Sequence, residues 1–195
     1  MISPWEVHDS RLCSVRRLIV TENMSFDGIV SPMDGWFDPS AQDEEVVAAI
    51  NEHDREVDAV VLGRRTFQDF EGFWPHQIDD PTGFTDYLNQ VQKYVVSTSL
   101  EHTDWQNSTI LRGPVAEQLA ALKDAPGGDI DITGSITLVH SLWPTGLIDL
   151  VRAWVFPAVQ GYGRRLLPDG MAQRLELVES RAFGCGVVLL EYRPV

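Results

Sequence analysis

Two strands that end in the same kind of turn constrain this chain more than any other feature. Ala59-Val60-Val61-Leu62 is a continuous β-type run, and Gly63-Arg64-Arg65-Thr66 follows it before a short helical stretch at Phe67–Phe70. Ile130–Ile132 is a second strand, ended by Thr133-Gly134-Ser135 and followed by a helical stretch at Ile136–Leu142. An unbroken apolar strand suits a sheet covered on both faces. A strand that hands over to a helix through a glycine turn predicts a right-handed, parallel βαβ unit.

The rest of the chain extends this pattern. Leu18-Ile19-Val20 predicts a buried strand that leads to a turn at Asp27-Gly28. Asp38-Pro39-Ser40 offers a helix start, and Val46, Val47, Ile50 and Val57 recur at helical spacing, so a helix is expected over 40–56. Asp80-Pro81 is expected to cap a helix through about Gln90, with strands at Tyr94–Ser97 and Thr109–Leu111 after it. A helix burying Val115, Leu119 and Leu122 stops at Pro126-Gly127-Gly128. The last third is β-only: a strand at Leu147–Phe156, then an antiparallel pair at Leu175–Glu179 and Val187–Tyr192. Together these predict a three-layer α/β fold with a mixed, mostly parallel sheet of about eight strands and a C-terminal antiparallel hairpin. Residues 1–14 read as a flexible tail and residues 15–195 as one domain.

Charge narrows the function. The formal net charge is −14, so no basic face is available for nucleic acid or an anionic membrane. No apolar run approaches the ~20 residues of a membrane span, and no secretory h-region is visible at the N-terminus. Two cysteines make neither a disulfide framework nor a CxxC metal site. A cytoplasmic protein with no metal is expected. The 15 basic residues include 13 Arg and only two Lys. Arg suits bidentate phosphate contacts. The pairs Arg64-Arg65 and Arg164-Arg165 therefore either hold a small anionic ligand or merely solvate the surface.

The two glycine turns carry the chemistry. A helix N-terminus presents unpaired N–H groups and partial positive charge, which suits phosphate, and glycine lets the backbone come close. Ligands of open α/β sheets bind at the carboxyl ends of strands, where these turns would lie side by side and hold a pyrophosphate. Neither turn is a GxGxxG fingerprint or a lysine-bearing P-loop, and no GxSxG elbow occurs. Asp27, Asp34, Asp43 and Glu44 are the candidate proton donors near the first strand. Trp36, Phe37, Phe73 and Trp74 are placed to stack on a planar ring or to anchor loops.

With these residues in view, the chain resembles the dihydrofolate reductase superfamily. It is most similar to the branch containing the reductase domain of the bifunctional riboflavin-biosynthesis deaminase/reductase. The resemblance runs from about Arg16 to Arg193. It rests on Ser25-Phe26-Asp27-Gly28, Leu62-Gly63-Arg64-Arg65-Thr66-Phe67, Tyr94-Val95-Val96-Ser97-Thr98, Thr133-Gly134-Ser135-Ile136-Thr137-Leu138 and Val159-Gln160-Gly161-Tyr162-Gly163-Arg164-Arg165-Leu166. It implies a dihydrofolate-reductase-like fold, NADPH as cofactor and a small-molecule substrate, and it makes a homodimer plausible. By resemblance, Gly63, Arg64, Arg65 and Thr66 would face the pyrophosphate and 2′-phosphate, and Ser97 and Thr98 the adenosine. Thr133, Gly134, Ser135, Ile136 and Thr137 would hold the pyrophosphate from the other side. The resemblance leaves the substrate half unassigned; the candidates there are Asp27, as catalytic acid and substrate contact, and Trp36, as substrate contact. Two places depart from the family pattern. Val46-Val47 stands where folate-reducing members carry an acid on the first long helix, and Ile132 where riboflavin-pathway reductases carry one before the second glycine. The implied activity resembles 5-amino-6-(5-phosphoribosylamino)uracil reduction. The alternatives are a dihydrofolate-reductase-type activity and a nucleotide-binding module without turnover.

Overall fold

A computed structural model describes residues 16–39 and 43–195. The expected tail at 1–14 and Ser40 lie outside the described residues. Among the described residues ten strands and five α-helices follow one another, with two short 3-10 turns at Trp74–His76 and Trp143–Thr145. β1 is Leu18–Ser25 and β2 Ile29–Ser31, then α1 Glu44–Asp54, β3 Val57–Gly63 and α2 Arg64–Phe73. α3 is Phe84–Gln90, β4 Gln92–Val96, β5 Ser108–Leu111, α4 Val115–Asp124, β6 Asp129–Thr133 and α5 Ile136–Leu142. β7 is Leu150–Phe156, β8 Arg164–Arg165, β9 Leu175–Ala182 and β10 Val188–Pro194.

Eight strands form one sheet in the order β5-β4-β3-β6-β1-β7-β10-β9. β1 runs parallel to β6 and β7, and β10 runs antiparallel to both β7 and β9. β6 returns from the far side of β3 to lie between β3 and β1, so the carboxyl ends of these three strands adjoin where the strand order reverses. The expected sheet and hairpin are therefore present. The small β2–β8 pair was not foreseen, because a two-residue strand has no periodicity to read.

The two faces differ. On one, Leu18, Val20, Ala59, Val61, Ile130 and Ile132 meet Leu119 of α4 and Val139 and Leu142 of α5 in one continuous core. On the other, the apolar residues split into two clusters. Val60, Leu62 and Val95 pack on Phe67 of α2 and Leu88 of α3. Trp154 and Leu189 pack on Val46 and Ala49 of α1. Between these clusters the strands present polar residues: Thr21, Asp131, Arg152 and Glu191. Of these, Asp131, Arg152 and Glu191 are buried. Burying such groups between two oil-like patches costs stability unless each finds a partner, so this seam demands an explanation.

Several element ends move from their expected places. α1 is capped by Asp43, whose Oδ1 accepts from the N–H groups of Glu45 at 3.0 Å and Val46 at 3.4 Å, and not from the Asp38-Pro39-Ser40 start. Val57 opens β3 instead of closing α1. α2 starts three residues before the expected Phe67, which puts Arg64, Arg65 and Thr66 in its first turn. α3 starts at Phe84, with Asp80 accepting hydrogen bonds from Thr82 and Thr85 ahead of it and in its first turn.

Candidate active site

At the carboxyl ends of β1, β3 and β6 lies a cleft of about 1060 Å³. The two glycine turns form one end of it. Gly63, Arg64, Arg65 and Thr66 line it from the start of α2, and Thr133, Gly134, Ser135, Ile136 and Thr137 from the start of α5. The turns interlock. The Gly63 N–H donates to Ser135 Oγ at 2.6 Å, and the Ser135 hydroxyl donates to Thr66 Oγ1 at 2.9 Å. A Cβ on Gly63 would lie 2.9 Å from Ser135 Oγ, and one on Gly134 would lie 2.6 Å from Thr66 Cγ2. Both glycines are thus required by close approach. Gly134 also adopts a φ of +64°, in the left-handed region where a side chain is strained.

No side chain caps either helix start, so the first N–H groups of α2 and α5 are left to whatever occupies the cleft. Arg64 and Arg65 are exposed at this mouth; Arg64 reaches Gln68 Oε1 at 3.1 Å. Arg164 lines the cleft from the opposite side, its Nη2 donating to Thr137 Oγ1 at 3.0 Å. Three guanidinium groups and two helix starts without side-chain caps make this end chemically suited to anionic oxygen.

The rest of the lining has the opposite character. Glu22 and Asn23 of β1, Asn51 and Asp54 of α1, Asp131 of β6 and Tyr87 of α3 all line it. Glu22 is only 4% exposed. Burial, then the neighbouring Asp131, pushes its carboxyl up to about 8, although a Gly134 backbone N–H works the other way. Burial first and Asp131 second push Asp54 up to about 7, against the pull of Arg152. Asp131 accepts from Thr21 Oγ1 at 2.6 Å, yet burial still raises it to about 6. Burial pushes the Tyr87 phenol above its usual range. Behind this wall Arg152 is paired with Glu191, and His53 Nε2 sits 3.9 Å from the same carboxylate. Glu22 Oε1, Asn23 Oδ1 and Asp54 Oδ2 are buried without a hydrogen-bond partner.

Four of the expected site residues, Asp27, Trp36, Ser97 and Thr98, lie off this cleft. Asp27 does not line this cleft. Its carboxylate accepts from Ser25 Oγ at 2.6 Å, Gln160 N at 3.0 Å and Gly161 N at 2.8 Å, and these bonds hold it at about 2. These bonds make it an ionised clamp between two loops. Trp36 lies outside the cleft, against Phe156 at a ring separation of 5.5 Å, in a neighbouring depression. Ser97 and Thr98 do not reach the cleft either. Ser97 Oγ accepts from the N–H groups of Ser99 and Leu100, closing its own turn, and Thr98 is exposed.

The two apparent departures from the family pattern also change meaning. Val46 is core and Val47 lines the cleft, but the same helix presents Asp54 one turn or more later; Val47, Ile50, Asn51 and Asp54 share one face at helical spacing. Asp43 is used as the cap. Ile132 is wholly buried in the core, while Asp131 beside it faces the opposite side of the sheet. Two signals could have found these acids: a charge inside the buried strand Ile130-Asp131-Ile132, and a polar pair, Glu22-Asn23, extending an apolar one. Among the described residues no three of His, Cys, Asp or Glu are grouped to hold a metal ion, and no helix is long and apolar enough to cross a membrane.

Comparison with known proteins agrees with this fold. A Bacillus subtilis (strain 168) relative, the uncharacterized protein YyaP, is 28% identical over 181 residues, which is 91% of this chain and 94% of that one. A Thermotoga maritima diaminohydroxyphosphoribosylaminopyrimidine deaminase/5-amino-6-(5-phosphoribosylamino)uracil reductase superposes with a TM-score of 0.65 at 14% identity, covering 92% of this chain and 57% of that longer one. An Enterococcus faecalis dihydrofolate reductase complexed with NADP(H) superposes with a TM-score of 0.58 at 14% identity, over 91% and 96% of the two chains. The fold is therefore dihydrofolate-reductase-like. Residues 16–189 match the profile of the RibD C-terminal domain. A match over nearly the whole chain makes this protein a member of the RibD C-terminal domain family.

Proposed function

We propose that this protein is an NADPH-dependent reductase acting on a small heterocyclic, imine or carbonyl substrate. The observation that carries the reading is the interlock of the two glycine turns through Ser135, which brings two uncapped helix starts and Arg64, Arg65 and Arg164 to one mouth. That donor set fits a diphosphate, and the exposed arginines fit the extra 2′-phosphate that separates NADPH from NADH. When bound, the dinucleotide supplies a hydride. The chain's own part is to grip the phosphates, exclude water and hold a proton for the substrate. Glu22 suits the last task, because burial keeps its carboxyl protonated at neutral pH. The rival reading, a binding module without turnover, rests on the departures at Val46-Val47 and Ile132, whereas Glu22, Asp54, Asp69 and Asp131 supply acids elsewhere in the cleft.

Trp74 and Trp154 line the cleft, so NADPH titration followed by tryptophan fluorescence tests the reading. Saturable quenching is expected. Arg65→Ala should raise the Kd for NADPH by about tenfold or more, the loss of a charge-assisted contact of about 1.5–3 kcal/mol. The Kd for NADH should change little. Absence of saturable binding, or equal losses for both dinucleotides, defeats the proposal. Oxidation of NADPH with 5-amino-6-(5-phosphoribosylamino)uracil, the substrate named for the Thermotoga maritima protein, is the first turnover assay to run.

A further inference from the structure

Arg64 and Arg65 stand on a ten-residue helix, but Arg164 reaches the same cleft from a strand of two residues. Its ladder to β2 has two registered pairs, Ile29 with Arg165 and Ser31 with Arg164. A ladder this short holds little by itself. The segment that leads into it is tied down elsewhere. Asp27 clamps Gln160 and Gly161 at its start. Gly163 lets it close on β2, since a Cβ there would strike the Ser31 carbonyl oxygen and its φ of +126° suits glycine. Leu166, just past β8, is buried in the same core as Val139 and Leu142 of α5.

The polar ties of β8 itself come from α5. Thr137 and His140 are three residues apart on that helix and so share a face. Arg164 Nη2 donates to Thr137 Oγ1 at 3.0 Å. His140 Nε2 lies 3.0 Å from the Leu166 carbonyl oxygen and 3.3 Å from that of Arg165. A carbonyl only accepts, so Nε2 carries a proton and donates. One helix face therefore holds both the Arg164 guanidinium and the backbone immediately after it. A cationic side chain on a loose segment must be ordered when a ligand arrives, and that ordering weakens binding. A segment already tied down avoids the loss.

We infer that His140 is a positioning residue: its hydrogen bonds to the backbone of Arg165 and Leu166 fix β8 against α5 and so hold the Arg164 side chain in the cleft, ready for an anionic ligand. His140 does not line the cleft, so it acts through Arg164. The hydrogen bond carries the effect, because Nε2–H donates in the imidazolium and in one neutral tautomer alike. The inference deepens the reductase reading, on which the assignment of this mouth to a diphosphate rests.

Inorganic pyrophosphate is the probe, titrated calorimetrically into the whole protein at fixed pH and ionic strength. Arg164→Ala should raise its Kd by about tenfold, the loss of one charge-assisted contact. His140→Leu should raise it by about fivefold, because Arg164 must then be ordered on binding. His140→Gln, whose amide N–H takes the place of Nε2–H, should recover most of the affinity. In an Arg164→Ala background His140→Leu should change the Kd no further, whereas general damage to the site would weaken binding in both backgrounds. Gly163→Ala, which forces β8 away from β2, is the second disturbance should His140→Leu not fold, and its effect should depend on Arg164 in the same way. The positioning role is overturned by a wild type that does not bind pyrophosphate, by a Kd that Arg164→Ala or His140→Leu leaves unchanged, by equal losses with and without Arg164, or by no recovery in His140→Gln. NADPH titration of the same proteins separates the two ideas. NADPH binding without the Arg164-dependent coupling sinks the positioning role alone; the coupling without NADPH binding sinks the reductase reading and leaves the positioning role standing.

Discussion

Asp27 and Glu22 are five positions apart on and just after one strand, yet their surroundings push them in opposite directions. Asp27 receives three hydrogen bonds from Ser25, Gln160 and Gly161 and stays ionised to about pH 2. Glu22 is buried beside Asp131 with one oxygen unpaired and keeps its proton to about pH 8. Sequence shows two carboxylates near the mouth of β1; only packing assigns them a role. Replacing Glu22 with Gln removes the transferable proton without changing shape. In the reductase reading, Glu22→Gln should lower kcat by about 10²-fold, within the usual range for a general acid. In the wild type, kcat should fall as pH rises through about 8, since the acid form is the active one, and Glu22→Gln should abolish that limb. Asp27→Asn should leave the limb in place. Its effect belongs to stability: the loops it ties should loosen, with a lower Tm near neutral pH. That deficit should vanish as the pH falls through about 2, where the wild-type carboxylate also takes up its proton.

At the scale of elements, the two strand–turn–helix units behave as one device. Ser135 Oγ fills the space that a Cβ on Gly63 would need, and Thr66 fills the space beside Gly134. Gly63→Ala should therefore disturb the α5 turn as well as its own, and Ser135→Ala should leave the Gly63 N–H unpaired, at about 1–3 kcal/mol. Because Ser135→Ala also removes the atom that Gly63→Ala would strike, the double variant should be more stable than the sum of the two losses predicts. Denaturant unfolding of the four proteins measures the coupling; strict additivity would refute the interlock. These turns were legible because each puts its glycine, its donors and its helix start in consecutive residues. The acids were not, because Glu22, Asp54 and Asp131 come from β1, α1 and β6 and mean nothing until the sheet order joins them. That Ser97 and Thr98 lie off the cleft was hidden for the same reason. β4 carries them beyond β3, away from the switch between β6 and β1, and no local signal reports that distance. The start of α1 was misread because two Asp residues, Asp38 and Asp43, compete for one cap, and only backbone geometry decides between them.

For the whole molecule, the polar seam between two apolar clusters sets how stability responds to pH. The formal charge of −14 counts every carboxyl as ionised, but three of them resist ionisation when folded. Glu22, Asp54 and Asp131 bind protons more tightly folded than unfolded, at about 8, 7 and 6 against ordinary values near 4. Their contribution is therefore fully present below about pH 4 and is lost as pH rises through 8. Asp27 acts in the opposite sense, and so does Asp80, where hydrogen bonds from Thr82 and Thr85 overcome burial and hold it at about 2; their contributions are lost as pH falls from about 4 to 2. The two sets leave a maximum in mildly acid solution, below the near-neutral optimum common among proteins whose carboxylates are mostly paired. Thermal unfolding from pH 3 to 9 should show Tm highest near pH 4–5 and declining toward pH 8. Glu22→Gln should flatten the upper part of that decline, since the amide has no proton to lose. A wild-type Tm that stays level or climbs between pH 5 and 8 would mean that the seam already has its counter-charges.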